Sequence, residues 1–187
     1  MEADWSVEVG PQLDEIDADW PGLVDLRATP GAVEGIAEAA RYQPLRDALV
    51  ALNAAESPLH TAKCDVWGLA ENEIDAGEFN AAAGAAQAGM ACYIDVLARE
   101  PGLYASFARH EAWARAVVVR LREYAIPQGR VDLVVRGARS GGAAGFGITL
   151  YAAGCGRDSA AAHEAWEAVL RAAVTATINE AEILPLR

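Results

Sequence analysis

The chain has 187 residues, of which 53% are hydrophobic and 22% are charged, so one filled core over residues 1–187 is predicted rather than two domains. Its 27 acidic and 15 basic side chains give a formal charge of −12, which disfavours nucleic acid and anionic membranes as partners. The 3 cysteines include no C-x-x-C pair, so neither a disulfide framework nor a structural zinc site is predicted.

The opening residues predict an unexported protein. The first segment, MEADWSVEV, is acidic, whereas a secretory signal peptide is basic and then apolar. No uninterrupted apolar run in the sequence approaches the ~20 residues that a membrane helix needs. Together with cysteines that are predicted to be unpaired, this favours the cytoplasm.

Residues 1–56 are predicted to form an acidic arm followed by amphipathic helices. Trp5, Val7 and Val9 alternate, which favours a short strand. From residue 31 to about residue 56, apolar side chains recur at three- and four-residue steps, as in a helix packed on a core. Pro44 is placed to begin the second of two helices.

Residues 57–187 are predicted to form the core of the fold. Period-two alternation and turn residues predict strands over 60–69, 90–99, 130–136 and 146–153. Helical periodicity predicts one helix over 106–124 and another that begins at Asp158 or Ser159 and ends near residue 178.

The tetrapeptide His-Glu-Ala-Trp occurs at 110–113 and again at 163–166, each time near the start of a helix that follows two predicted strands. We interpret this as a duplicated strand–strand–helix unit; the alternative is a chance match between alanine-rich helices. Two such units predict an α+β two-layer sandwich, with a four-stranded, mainly antiparallel sheet and both helices on one face. The N-terminal helices are expected at an edge of the sheet or over part of its other face.

Strand alternation divides the side chains of the sheet between two faces. The apolar face is expected beneath the helices, and His60, Ala62 and Cys64 share its parity. The other face combines carboxylates with large aromatic rings. Its candidate ligand-binding residues are Asp65, Trp67, Tyr93, Asp95, Asp132 and Tyr151.

Aspartate is depleted in strands, so three aspartates in mid-strand positions need an explanation. They either form ion pairs with basic residues of the same face or belong to a binding surface. The basic residues available are Lys63, Arg99, Arg130 and Arg136.

A non-catalytic binding or interaction domain is the favoured hypothesis. Aromatic rings beside carboxylates suit a small cationic ligand, and the same face also suits a second subunit in a homodimer. No cofactor or resident metal is predicted, and no catalytic residue is assigned.

Two enzyme hypotheses remain as alternatives. In the first, Cys64 is a nucleophile activated by His60 or His110. In the second, Asp65, Asp95 and Asp132 hold a divalent metal ion that assists the reaction.

Overall fold

The computed structural model describes residues 1–82 and 84–183; residue 83 and residues 184–187 of the predicted domain lie outside the described residues. Within this part of the chain, a mixed sheet of six strands packs with helices, which makes the fold α+β. The strands are β1 (Glu2–Glu8), β2 (Ile16–Asp17), β3 (Leu59–Leu69), β4 (Ala88–Ala98), β5 (Gly129–Ser140) and β6 (Ala143–Gly156). The helices are α1 (Ala37–Arg41), α2 (Gln43–Asn53), α3 (Pro101–Tyr104), α4 (Phe107–Arg122) and α5 (Ser159–Ile183).

The strand order is β1-β5-β6-β4-β3, and β2 also pairs with β5. Each of the four long strands is antiparallel to its neighbour, whereas β1 and β2 both run parallel to β5. The α+β prediction is therefore confirmed. The prediction of a four-stranded sheet is wrong, because the N-terminal segment adds two parallel strands at one edge.

The order strand, strand, helix does occur twice, as β3-β4-α4 and β5-β6-α5. The two units are not equivalent, because only the first has a short helix, α3, between its hairpin and its long helix. Helix α4 has 16 residues and α5 has 25. The duplication therefore stays a prediction.

The main core lies between the sheet and the helices α2, α4 and α5. Ile94, Leu133 and Leu150 of the sheet are fully buried there, against Trp113 of α4 and Trp166 of α5. Helix α4 presents apolar residues at four-residue intervals to this core, as an amphipathic helix does. None of the helices in the described residues is long and apolar enough to cross a membrane.

Helix α5 begins where the sequence indicates. The backbone nitrogen of Ala161 donates to Oδ1 of Asp158 at 2.9 Å, the hydrogen bond of an N-terminal cap. The predicted cap at Asp158 or Ser159 is thus resolved in favour of Asp158.

Strand β3 contains a β-bulge. Thr61 lies opposite Val96 and Cys64 lies opposite Ile94. Three steps along β3 therefore correspond to two steps along β4, and β3 has one extra residue. The extra residue reverses the parity of every position before it. Ala62 therefore packs with the cluster on the face away from the helices, which corrects its predicted position beneath them.

After β1 the chain crosses the sheet on the face opposite the helices; residues 10–26 are called the crossing segment below. Ile16 and Ala18 of this segment pack against Leu97 of β4 and Ala138 of β5. Asp19 holds the β5-β6 turn, since its two carboxylate oxygens accept from the backbone nitrogens of Gly141 and Gly142 at 2.6 and 2.9 Å. Farther along, Leu26 is buried in the main core, so the chain passes around the β3 edge of the sheet.

Candidate functional site

The face of the sheet away from α2, α4 and α5 is called the open face here. Four of the six candidate residues form one row across it, in which each member lies opposite the next on a neighbouring strand: Asp65, Tyr93, Tyr151 and Asp132. Asp95 lies one row away, opposite Thr149. Trp67 lies opposite Ala91 on the same face.

The crossing segment covers one end of the open face and leaves a groove of about 300 Å³ beside it. At the other end, Glu78 of the β3-β4 connection reaches across to Arg130 of β5, with Oε2 and Nη1 3.0 Å apart. The face is therefore neither bare nor fully covered. The groove is lined by Asp14, Glu15, Ile16, Lys63, Tyr93, Asp95, Arg136, Thr149 and Tyr151.

Asp95 is the buried carboxylate of the groove, with 7% of the residue exposed. The Thr149 hydroxyl donates to its Oδ1 at 2.7 Å. Burial raises the pKa of Asp95, because the charged form loses water; the Thr149 hydrogen bond and the charges of Arg136 and Lys63 oppose this rise. Asp95 is thus a carboxylate whose charge is incompletely compensated.

Both cations of the groove have a partner other than Asp95, although the buried Nε of Arg136 has no hydrogen-bond partner among the described residues. Arg136 Nη2 lies 2.7 Å from Oε2 of Glu8 on the neighbouring strand β1. The Lys63 Nζ lies 5.4 Å from the centre of the Trp20 ring, within the range of a cation–π interaction. Among the described residues, no ion pair joins either cation to Asp95.

Aromatic rings run along the open face next to Asp95. The ring centres of Tyr93 and Tyr151 are 6.1 Å apart, with an angle of 48° between the planes. The Trp67 ring lies beside that of Tyr93, with the two ring centres 6.4 Å apart. Burial raises the pKa of Tyr93, and the negative charges of Asp95 and Asp65 add to this effect, so its hydroxyl remains a hydrogen-bond donor at neutral pH.

Asp132 lies outside the groove. Its carboxylate accepts two hydrogen bonds from Arg130, at 2.6 and 2.9 Å, and it lines a separate cleft that also includes Asp4. The ion-pair hypothesis therefore describes Asp132 well and Asp95 poorly. Asp132 lies three strands from Asp65, roughly 14 Å at ordinary strand spacing.

This separation bears on the metal hypothesis. One divalent ion binds oxygen ligands at 2–3 Å, so Asp65 and Asp132 are too far apart to share it. In the part of the chain that the structure describes, no three histidine, cysteine, aspartate or glutamate side chains are grouped to hold a metal. The geometry gives the three-aspartate hypothesis no support.

Cys64 is not on the open face with Asp95. It packs against the main core, and burial raises the pKa of its thiol to about 12, with a further contribution from Glu38. The bulge places His60 opposite Leu97 on the open face, which corrects the prediction that His60 and Cys64 share a face. Neither His60 nor His110 forms a hydrogen bond to Cys64 among the described contacts.

The sequence did not point to the acidic wall of the groove, Asp14 and Glu15. Their position depends on pairing between β2 and β5, which has no local signal. Lys63, Thr149 and Arg136 could be assigned to the open face by parity, but parity does not say which residues of a face meet in a groove.

No protein-family model matches this chain, and no curated protein or solved structure is detectably similar to it. The function must therefore be argued from the groove itself, because an α+β fold alone does not specify an activity.

Proposed function

We propose that the groove on the open face binds a small organic cation. The observation that carries this proposal is Asp95, a carboxylate that is 7% exposed in a groove and has one hydrogen bond from Thr149. Its Oδ2 accepts no hydrogen bond within the described residues. A buried carboxylate is stabilised by a partner that brings both a positive charge and a donor hydrogen.

The charge balance of the groove supports a cation over an anion. Three carboxylates line it, from Asp14, Glu15 and Asp95, against the basic groups of Lys63 and Arg136. From outside the groove, Glu8 pairs with Arg136 and Arg139 pairs with Glu15, which leaves the carboxylates of Asp14 and Asp95 against the single charge of Lys63. The acidic character of the whole chain attracts a cation in the same sense.

The aromatic side chains support an organic cation over a bare metal ion. Tyr93 and Tyr151 flank the groove in the row next to Asp95. The faces of such rings attract ammonium groups and also bury attached hydrocarbon, each contact contributing about 0.5–2 kcal/mol. Two rings and one carboxylate form a combination that an alkylammonium ion fits.

Calorimetric titration with n-butylamine, which is protonated at neutral pH, tests the proposal. We expect saturable binding to the wild type and at least a tenfold weaker affinity for the Asp95→Asn variant, the order of effect expected from loss of a charge-assisted hydrogen bond. Asp132→Asn is the matched control, because it removes a carboxylate from the same face but outside the groove. Unchanged binding by Asp95→Asn, or no binding by the wild type, would refute the proposal.

A second subunit is the alternative occupant of the open face, and Trp67 is the observation in its favour. Its side chain lies beside Tyr93, and the residue is 37% exposed, as anchor residues of interfaces often are before association. Sedimentation of the wild type and of a Trp67→Ala/Tyr151→Ala double variant tests this. A dimer that becomes a monomer in the variant would support the alternative, and an unchanged mass would exclude this face as the contact.

A further inference from the structure

A second cavity, of about 420 Å³, adjoins the groove at the β3 edge of the sheet. Lys63 and Tyr93 line both spaces, so the groove and this edge cavity are neighbours that meet at these two side chains. Much of the edge cavity wall is apolar: Trp20, Val24, Leu26, Ile36, Leu49 and Ala62.

The edge cavity follows from the way that the chain passes around β3. The bulge between Thr61 and Cys64 locally displaces the strand from regular pairing. On its outer side, β3 is covered by the crossing segment and by the residues just before α1, which pack by side chains rather than in a strand ladder. The apolar part of this wall favours contact with hydrocarbon over contact with water.

We propose that the cation bound in the groove is amphipathic, with its charged group at Asp95 and a hydrocarbon portion that passes between Lys63 and Tyr93 into the edge cavity. This inference rests on the proposed function and specifies its ligand class. Asp95 and Tyr93 are two residues apart on β4, about 7 Å along the strand, so one ligand of modest length spans both sites.

Lys63 determines which end of the ligand enters the edge cavity. Its ammonium group, which lies over the Trp20 ring at the cavity wall, repels a second cation, whereas its methylene stem can line a path for hydrocarbon. Tyr93 offers a ring on the other side of the same path. The charged end of the ligand therefore remains at Asp95 and the neutral end passes inward.

Glu38 also lines the edge cavity, together with Thr61 and Cys64. Its carboxylate is the acidic group of this wall, and it favours a second positive charge. The second ammonium group of a diamine could pair with Glu38, whereas a monoamine has no such group. Comparing the affinities of the two classes therefore tests whether the inner end of the ligand is hydrocarbon.

The experiment is a calorimetric titration of the full chain with butylamine, hexylamine, octylamine and 1,8-diaminooctane. Full burial of each added methylene group corresponds to about a fourfold gain in affinity, so hexylamine, with two more methylene groups, should bind about 15-fold more tightly than butylamine. Octylamine should bind more tightly than the diamine. No dependence on chain length, with butylamine still bound through Asp95, would overturn the amphipathic ligand and leave the proposed function intact.

A variant that fills the edge cavity provides the structural control. Val24 lines the cavity and is 39% exposed, so Val24→Trp adds volume without disturbing the core. Val24→Trp should abolish the higher affinity of hexylamine relative to butylamine, while the affinity for butylamine stays within twofold of the wild type. Val50→Trp is the matched control at an exposed position outside both cavities, and it should keep the gain. A Val24→Trp variant that keeps the gain would also overturn the inference, and failure of every amine to bind would refute the proposed function itself.

Discussion

Gly154 of β6 lies against the backbone of Trp166 in α5, so close that a methyl group at its Cα would overlap the Trp166 nitrogen. Gly156 stands in the same relation to Ala162, where an added Cβ would lie 2.6 Å from the backbone nitrogen. These two glycines allow α5 to approach the sheet closely. An added Cβ would meet backbone atoms of α5 rather than a flexible side chain, so the contact could not be relieved by a small side-chain movement. The contact fixes how α5 lies over the sheet.

Gly154→Ala should therefore destabilise the fold by about 1–3 kcal/mol or more, the usual cost of forced overpacking. Urea denaturation measures the change in the free energy of unfolding. Gly31→Ala is the control, since an added Cβ there meets no described atom within 4 Å. Equal stability of Gly154→Ala and wild type would contradict the close approach.

Asp95→Asn should raise the free energy of unfolding at neutral pH even though it should weaken the proposed binding of an amine. The pKa of Asp95 is raised in the folded state, so ionised Asp95 weakens the fold above that pKa and the penalty disappears as pH falls through it. The stability advantage of the variant should thus shrink on acidification. Thermal denaturation of both proteins at pH 7 and pH 4 measures this, and an asparagine variant less stable than wild type at pH 7 would contradict it.

His60 should make the fold sensitive to acid. Burial lowers the pKa of His60 from 6.5 to about 4, and both ring nitrogens are buried without a partner in the described structure. Its contribution to stability is complete above pH 6.5 and is lost as pH falls from 6.5 through 4, a change of about 3 kcal/mol. His60→Leu should remove this part of the pH dependence in urea denaturation, and an identical pH dependence in the variant would show that the imidazole is not responsible.

The thiols should be inert in the folded protein. Burial raises the pKa values of Cys64 and Cys92 to about 12 and also raises that of Cys155, and the thiolate is the reactive form. Titration with a chromogenic disulfide reagent at pH 8 should detect the cysteines only after denaturant is added. Rapid modification that disappears in Cys64→Ser would instead revive the thiol-enzyme alternative.

The position of the candidate side chains on the open face could be predicted, because period-two alternation sorts a strand once one face is apolar. Tyr93, Asp95 and Tyr151 lie where that rule places them. The same rule failed at the bulge in β3, where Ala62 and the preceding His60 lie on the open face. A bulge that contains neither glycine nor proline has no distinct signature in one sequence.

The composition of the groove could not be predicted, because it depends on strand order. Placement of β6 between β5 and β4 brings Tyr151 next to Tyr93 and moves Asp132 away from Asp95. Pairing of β1 and β2 with β5 then supplies the acidic wall. These contacts join segments that are distant along the chain, so no local pattern of residues reports them.

The parallel pairing of Glu2 with Arg130 imposes an order on assembly of the protein. The N-terminal segment leaves the ribosome long before β5 is synthesised. This segment therefore cannot pair with the β5 edge of the sheet until most of these residues have been translated. The acidic wall of the groove is consequently synthesised before β5, and it can dock on the sheet only after β5 has been made. In a nascent chain, the proposed amine site would be complete only once the β5-β6 hairpin had emerged.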